Sequence, residues 1–363
     1  MQKVMTILGT RPEIIRLSLI IPLLDKHCNH IVVNTMQNYD YKLNDLFFKD
    51  LRLRKPDISF QTKSGSFGEQ MSIMFGEIEK ILIEHKPDSV LILGDTNSAL
   101  CAIVVERMGI PVYHMEAGNR CFDRSVPEEV NRKIIDSISS YNLPYVRGSR
   151  ENLLAEGIHK SRIFTCGNPI AEVLEDYRYK VKAREGDVLN TLNLTKDNYF
   201  LATFHRAETV DIPERLLQLI EGLKEVGSTY NLPVVCSVHP RTRARLEALK
   251  VDVGKDVLLL EPFGFFDFVR LEKNAKCVLT DSGTVSEEAC ILHIPCVIVR
   301  DVTERPELVR CGSAMLSGVS AKSIVLCTKM MVGRRQWNPP AGYLQDGVSD
   351  NVVQFILGGG NEK

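Results

Sequence analysis

The sequence has no surplus charge of either sign, no long apolar run, no paired-cysteine motif and no glycine-rich nucleotide fingerprint. Each absence removes a class of function. Its 45 lysines and arginines nearly cancel its 46 acidic residues, leaving a formal net charge of -1. No broad basic field therefore exists to hold nucleic acid or an anionic membrane, and any anion is gripped by a local site. No apolar stretch approaches the roughly 18 residues of a membrane span. The amino-terminal run 1–9 is too short for a secretory signal and meets the charged Arg11 and Glu13 at once, so a cytoplasmic location is expected. The ten cysteines include no Cys-x-x-Cys pair, and Cys101, Cys166, Cys236, Cys277, Cys290 and Cys296 stand singly inside apolar segments. They read as reduced core thiols, with no metal site. Neither Gly-x-Gly-x-x-Gly nor Gly-x-x-x-x-Gly-Lys-Ser/Thr occurs, which disfavours a dehydrogenase or an NTPase.

What is present is an alternation of short β-rich runs with helix-period segments along all 363 residues, 44% of them hydrophobic. Strands are expected at 3–8, 29–34, 89–93, 111–115, 142–146 and 162–165, then at 199–203, 234–238, 257–260, 277–279 and 295–299. Helices are expected at 13–25, 67–84, 170–179 and 212–224, and a last one at 348–357 beyond the breaker cluster 337–342. The charged stretch 180–187 reads as a linker. No internal repeat or low-complexity tract is visible. The fold class is α/β: two Rossmann-like, doubly wound domains facing a cleft, one over 1–169 and one over 170–345.

Open α/β sheets bind ligands beyond the carboxyl ends of their strands, so the residues after each apolar run carry the functional information. Gly9-Thr10-Arg11-Pro12-Glu13, Gly94-Asp95-Thr96-Asn97 and Glu116-Ala117-Gly118 follow strands of the first half; His205-Arg206, His239-Pro240-Arg241 and Thr280-Asp281-Ser282-Gly283 follow strands of the second. Singly these are ordinary turn residues. Together they place acids on the first domain's edge and cationic groups on the second's. The turn at 281–288 enters a helix whose free N–H groups suit a phosphate. Glu287 and Glu288 are expected in that helix's first turn, either as dipole partners or with one of them on a ribose diol. Asp95, Glu116 and the Glu128-Glu129 pair form an acidic group. Converging carboxylates raise one another's pKa, as general acid/base work requires, although Glu128 after Pro127 also reads as a helix start.

With these residues the sequence resembles the non-hydrolysing UDP-N-acetylglucosamine 2-epimerases. The resemblance spans essentially the whole chain and rests on six ordered motifs: 9–13, 94–96, His114-Met115-Glu116-Ala117-Gly118, Pro127-Glu128-Glu129-Val130-Asn131-Arg132, 280–283 and Thr303-Glu304-Arg305-Pro306-Glu307. It implies a glycosyltransferase-B-type fold whose final helix, 346–363, returns to the first domain. It further implies inversion at C2 of a UDP-sugar by anti elimination of UDP and re-addition, without cofactor or metal. Carried over residue by residue, Asp95, Glu116 and Glu128 match the catalytic carboxylates, and Arg11 and His205 match groups near the diphosphate. Ser282 and Gly283 match the phosphate turn, Glu288 the ribose contact and Phe268 the uracil-packing position, though Phe268 alone would read as core. Arg16, His239 and Arg305 complete the substrate-binding set, and a homodimer is the expected assembly.

Two departures bear on the substrate. Arg16 stands where the UDP-N-acetylglucosamine enzymes usually carry Lys, a planar fork for a compact ammonium. Their Gly-Gln-His segment, associated with a second, activating UDP-N-acetylglucosamine, is here Met36-Gln37-Asn38-Tyr39-Asp40-Tyr41. Asn38 to Tyr41, Glu116 to Asp123 and Asp281 to Thr284 instead resemble the branch that converts UDP-2-acetamido-2,6-dideoxy-L-talose to UDP-N-acetyl-L-fucosamine in bacterial capsule and O-antigen synthesis. That conversion is the expected activity. UDP-N-acetylglucosamine/UDP-N-acetylmannosamine epimerisation is the alternative, and a glycosyltransferase on the same fold, which would require an acceptor, is a lesser one.

Overall fold

Short runs of Val, Ile and Leu without polar alternation form strands buried on both faces, and the computed structural model assembles them into two parallel sheets. It describes residues 1–37, 47–62, 64–177 and 187–358. The chain divides into two compact units, Met1–Asp176 with Ala341–Lys363, and Tyr177–Pro340. The segment Ile170–Asp176 thus belongs with the first unit; its helix packs on the helix Arg11–Arg16.

In the first unit, β1 (Lys3–Leu8), β2 (Asn29–Asn34), β3 (Ile58–Ser59), β4 (Ser89–Leu93), β5 (Val112–Met115) and β6 (Tyr141–Leu143) lie in the order β3-β2-β1-β4-β5-β6. Met5, Ile7, Val33, Val90 and Ile92 of this sheet share a core with Met74 and Ile78 of the helix Phe67–His85 and with Ile135. The expected strand at 162–165 is absent: only Ile163 bridges to Asn142. The expected helix 13–25 is two helices, Arg11–Arg16 and Ile20–His27. Pro22 is the physical cause, because a continuous helix would set its ring against the carbonyl of Ser18, whereas in the first turn of a new helix its missing N–H costs nothing. The helix Val348–Gly358 packs on Ile20–His27. Its first N–H groups, from Val348 and Ser349, donate to the Glu172 carboxylate at 2.6 and 2.9 Å. Phe355 stacks on Phe164 with ring centroids 4.3 Å apart.

In the second unit, β7 (Phe200–Phe204), β8 (Val234–Val238), β9 (Val257–Leu260), β10 (Cys277–Thr280), β11 (Cys296–Ile298) and β12 (Ala314–Leu316) lie in the order β12-β11-β10-β7-β8-β9. The helices Pro213–Tyr230 and Ala321–Met331 cover one face, burying Leu216, Leu219, Leu223 and Ile324 against Ala202, Cys236 and Val297. All ten cysteines are free thiols, and eight of them are buried. Among the described residues no helix is long and apolar enough to cross a membrane. Nor do three metal-ligating side chains cluster there.

Candidate active site

Each sheet reverses its strand order at one place, between β1 and β4 in the first unit and between β7 and β10 in the second. Ligands of doubly wound sheets bind outside the strand ends at such a point. The polar motifs fall there: Gly9–Glu13 follows β1, Gly94–Asn97 follows β4, His205 follows β7, and Asp281–Gly283 follows β10.

In the first unit the β1 and β4 ends are tied together by Glu13, a residue not assigned to the site from sequence. Its carboxylate accepts from the Gly9 and Thr10 N–H groups at 2.6 and 2.8 Å, and from Thr96 Oγ1 at 2.7 Å. Burial pushes its pKa up to about 7, against the opposing effect of those hydrogen bonds. Glu13 thereby fixes the helix start that carries Arg11, whose guanidinium lies 5.7 Å from the centre of the Phe47 ring.

The expected carboxylates do not simply repel one another, because each of two faces a guanidinium. Glu116 Oε2 accepts from Arg16 Nη1 at 2.6 Å, both side chains being buried. Glu116 also has a left-handed backbone, φ 67°, at the end of β5. A non-glycine residue held there stores strain of the kind found at functional sites. Asp95 Oδ2 accepts from Arg132 Nε at 2.8 Å, and Arg132 Nη1 also reaches Glu129 at 2.6 Å. Glu129 is fully buried. Burial opposes its charge, but the Cys121 N–H and the Arg132 guanidinium outweigh it and hold the carboxyl below the ordinary range. Glu128, its neighbour at the second position of the helix Pro127–Ile138, stays partly exposed. The amphipathic turn thus separates the pair into one packing and one accessible carboxylate.

Behind β5 lies a second set that sequence reading missed. His114 Nε2 bonds the Gly94 carbonyl at 2.8 Å, and its Nδ1 lies 2.9 Å from Asp136 Oδ1. Asp136 also meets Arg120 Nη1 at 2.7 Å. Burial works against a charged His114, yet the Asp136 carboxylate prevails and raises its pKa above the usual value. This buried network braces the backbone on both sides of Asp95 and Glu116.

In the second unit Asp281, 1% exposed, accepts from the His205 and Arg206 N–H groups at 2.8 Å each and sits 3.3 Å from His205 Nδ1. It locks the β7 turn to the β10 turn and leaves the His205 side chain 47% exposed. Ser282 caps the helix Gly283–Ile291. Gly283 fits a close approach: a Cβ there would lie 2.8 Å from Glu304 Oε1, and one of the two would have to give. Glu287 and Glu288 lie in the second turn of this helix, not the first, because it begins at Gly283. Dipole partnership therefore does not account for them. Glu287 is buried against Arg305, which carries its fork inward, while Glu288 is 3% exposed. His239 caps the helix Pro240–Ala248, its Nδ1 accepting from the Arg241 N–H at 3.3 Å. Phe268 is partly exposed, whereas Phe265 and Phe266 beside it are core residues. Asn38 to Tyr41 lie outside the described residues.

The model of the family described as UDP-N-acetylglucosamine 2-epimerase matches residues 24–357. The chain belongs to this family. It is a UDP-sugar 2-epimerase, an isomerase, with the glycosyltransferase-B-type pair of parallel six-stranded sheets expected from its motifs. The UDP-N-acetylglucosamine 2-epimerase of Methanocaldococcus jannaschii is 40% identical over 98% of this chain and 99% of that protein. A crystal structure of the Methanocaldococcus jannaschii UDP-GlcNAc 2-epimerase in complex with UDP-GlcNAc and UDP matches with a TM-score of 0.93 at 40% identity, covering 98% of this chain and 99% of that one. The UDP-2,3-diacetamido-2,3-dideoxy-D-glucuronate 2-epimerase of Pseudomonas aeruginosa is 34% identical over 98% of this chain and 99% of its own length. These relatives are named for other sugars than the L-talose derivative that segment 116–123 suggests.

Proposed function

We propose that this epimerase interconverts UDP-N-acetylglucosamine and UDP-N-acetylmannosamine. The observation that carries the reading is the nearly full-length likeness to the Methanocaldococcus jannaschii enzyme, whose solved structure holds UDP-GlcNAc and UDP. In the proposed reaction a carboxylate takes the C2 proton, the C1–O bond breaks with its electron pair leaving on the UDP β-phosphate oxygen, and a C1=C2 double bond forms. UDP then re-adds at C1 while a proton is delivered to the opposite face of C2. Asp95, Glu116 and Glu128 are the candidates for these proton transfers. The Arg132 and Arg16 contacts support this assignment by holding Asp95 and Glu116 in place. Arg11 and His205 stabilise charge on the departing UDP, and the Ser282-Gly283 turn receives its phosphate. Phe268 packs on the uracil and Glu288 receives the ribose hydroxyls. His239 assists at the diphosphate, and Arg305 acts from behind through Glu287.

A second reading, conversion of UDP-2-acetamido-2,6-dideoxy-L-talose to UDP-N-acetyl-L-fucosamine, is favoured by the segment after Glu116. Asn119 bonds Ser149 Oγ at 2.7 Å and Arg120 pairs with Asp136 and Glu156, so these residues shape the backbone that carries Glu116. The test is to give the protein each nucleotide sugar without acceptor and follow the anomeric protons by NMR. The first reading predicts a mixture of the glucosamine and mannosamine forms. Turnover of the L-talose sugar alone would select the second, and turnover of neither would refute both.

A further inference from the structure

Glu272 is fully buried on the helix Phe265–Asn274, and neither of its carboxyl oxygens finds a donor among the described side chains and backbone. What it does meet is another carboxyl group, that of Glu288 on the helix Gly283–Ile291. Two ionised carboxylates are acceptors only and cannot bond each other; one shared proton turns the contact into a strong hydrogen bond. Burial, and then the Glu288 charge, push the Glu272 carboxyl well above the ordinary range, so the proton resides on the deeper of the two. Among the described residues, the titratable groups that face Glu272 besides Glu288 are Tyr199 and Cys296. Tyr199 commits its hydroxyl to the Leu271 carbonyl, and Cys296 is a buried thiol. Neither of them supplies a counter-charge. Glu272 also lies one turn beyond Phe268 on the same helix, at the i, i+4 spacing that puts both on one face.

We propose that Glu272 is a positioning residue: its carboxyl donates a hydrogen bond to Glu288 and presents the remaining Glu288 lone pairs to the ribose hydroxyls of the uridine nucleotide. The proposal rests on the reading of Glu288 as the ribose contact. Without that donor Glu288 would lose the bond that orients this oxygen or take up a proton itself, and either would remove an acceptor from the ribose.

The experiment compares binding of UDP and 2′-deoxy-UDP by calorimetry in the intact protein and in Glu272→Met, Glu272→Gln and Glu288→Gln. The intact protein should prefer UDP by about tenfold, the worth of one hydrogen bond to a charged acceptor. Glu272→Met, which keeps bulk and removes the donor, should bring that preference below about threefold, whereas Glu272→Gln, whose amide still donates, should keep most of it. A wild-type preference in Glu272→Met, or an equal loss in Glu272→Gln, overturns the proposal. An unchanged preference in Glu288→Gln removes the ribose contact itself and the proposal with it; a changed one there with an unchanged one in Glu272→Met removes the proposal alone. Should Glu272→Met fail to fold, infrared spectra decide. Above pH 7, where Glu13 is ionised, the intact protein should show a protonated-carboxyl band that shifts in D2O and is missing from Glu272→Gln. Absence of that band in the intact protein also overturns the proposal.

Discussion

Glu116 is the most constrained of the proposed proton-transfer groups: buried, left-handed in backbone, and 2.6 Å from the Arg16 guanidinium. Replacing Glu116 or Asp95 by its amide keeps volume and removes the base. Each change should lower kcat by roughly 10²-fold or more while UDP affinity stays within about threefold; steady-state kinetics with UDP calorimetry checks this, and an unchanged kcat would reject the assigned role. Arg16→Met poses the complementary question. It takes the guanidinium away from the buried Glu116 carboxylate, which costs on the order of 3 kcal/mol of stability. Chemical denaturation should register the loss, and kcat should fall more than KM rises because the displaced group acts in the chemical step.

At the scale of elements, the turns after β1 and β10 carry the most specific expectations. The Glu13 carboxyl, at about 7 in the folded chain, titrates well above its ordinary 4.5. The folded state therefore binds this proton more tightly than the unfolded one. Its stability contribution is fully present below about pH 4.5 and is lost as pH rises to 7 and beyond, by about 3 kcal/mol. Thermal melts from pH 4.5 to 8 should show Glu13→Gln losing less stability than the intact protein over that window. Gly283→Ala places a Cβ 2.8 Å from Glu304 Oε1, so the Glu304 carboxylate or the turn must shift, and UDP affinity should drop about tenfold or more, read by calorimetry. Half of the Glu13 contact was legible, since Thr10-Arg11-Pro12-Glu13 has capping-box spacing. The other half was not, because Thr96 lies 83 residues away. Separations of 100 and 37 residues likewise hide Arg16 from Glu116 and Arg132 from Asp95. Local pattern finds a carboxylate at a strand end but cannot name the arginine that another segment brings to it.

Across the whole chain, both sheets have one strand order, read outward from the same kind of switch point, although no repeat is visible in the sequence. The long strands were legible because burial on both faces demands unbroken apolar runs. Ile58–Ser59 and Ala314–Leu316 were not, being too short to show any period. The polar motifs were legible for the same topological reason: in a parallel sheet the carboxyl ends of all strands share one edge, and the chemistry collects there. Within each unit the shared edge gathers residues far apart in sequence, Arg11 and Asp95 in the first and His205 and Ser282 in the second. In the proposed reaction C2 of the sugar loses and regains its proton at carboxylates of the first unit. The most direct measurement is to incubate UDP-N-acetylglucosamine with the protein in D2O and follow C2 by NMR. Deuterium is expected at C2 of both the recovered substrate and its epimer, with uptake abolished by Glu116→Gln. Epimer formed with hydrogen retained at C2 would contradict it.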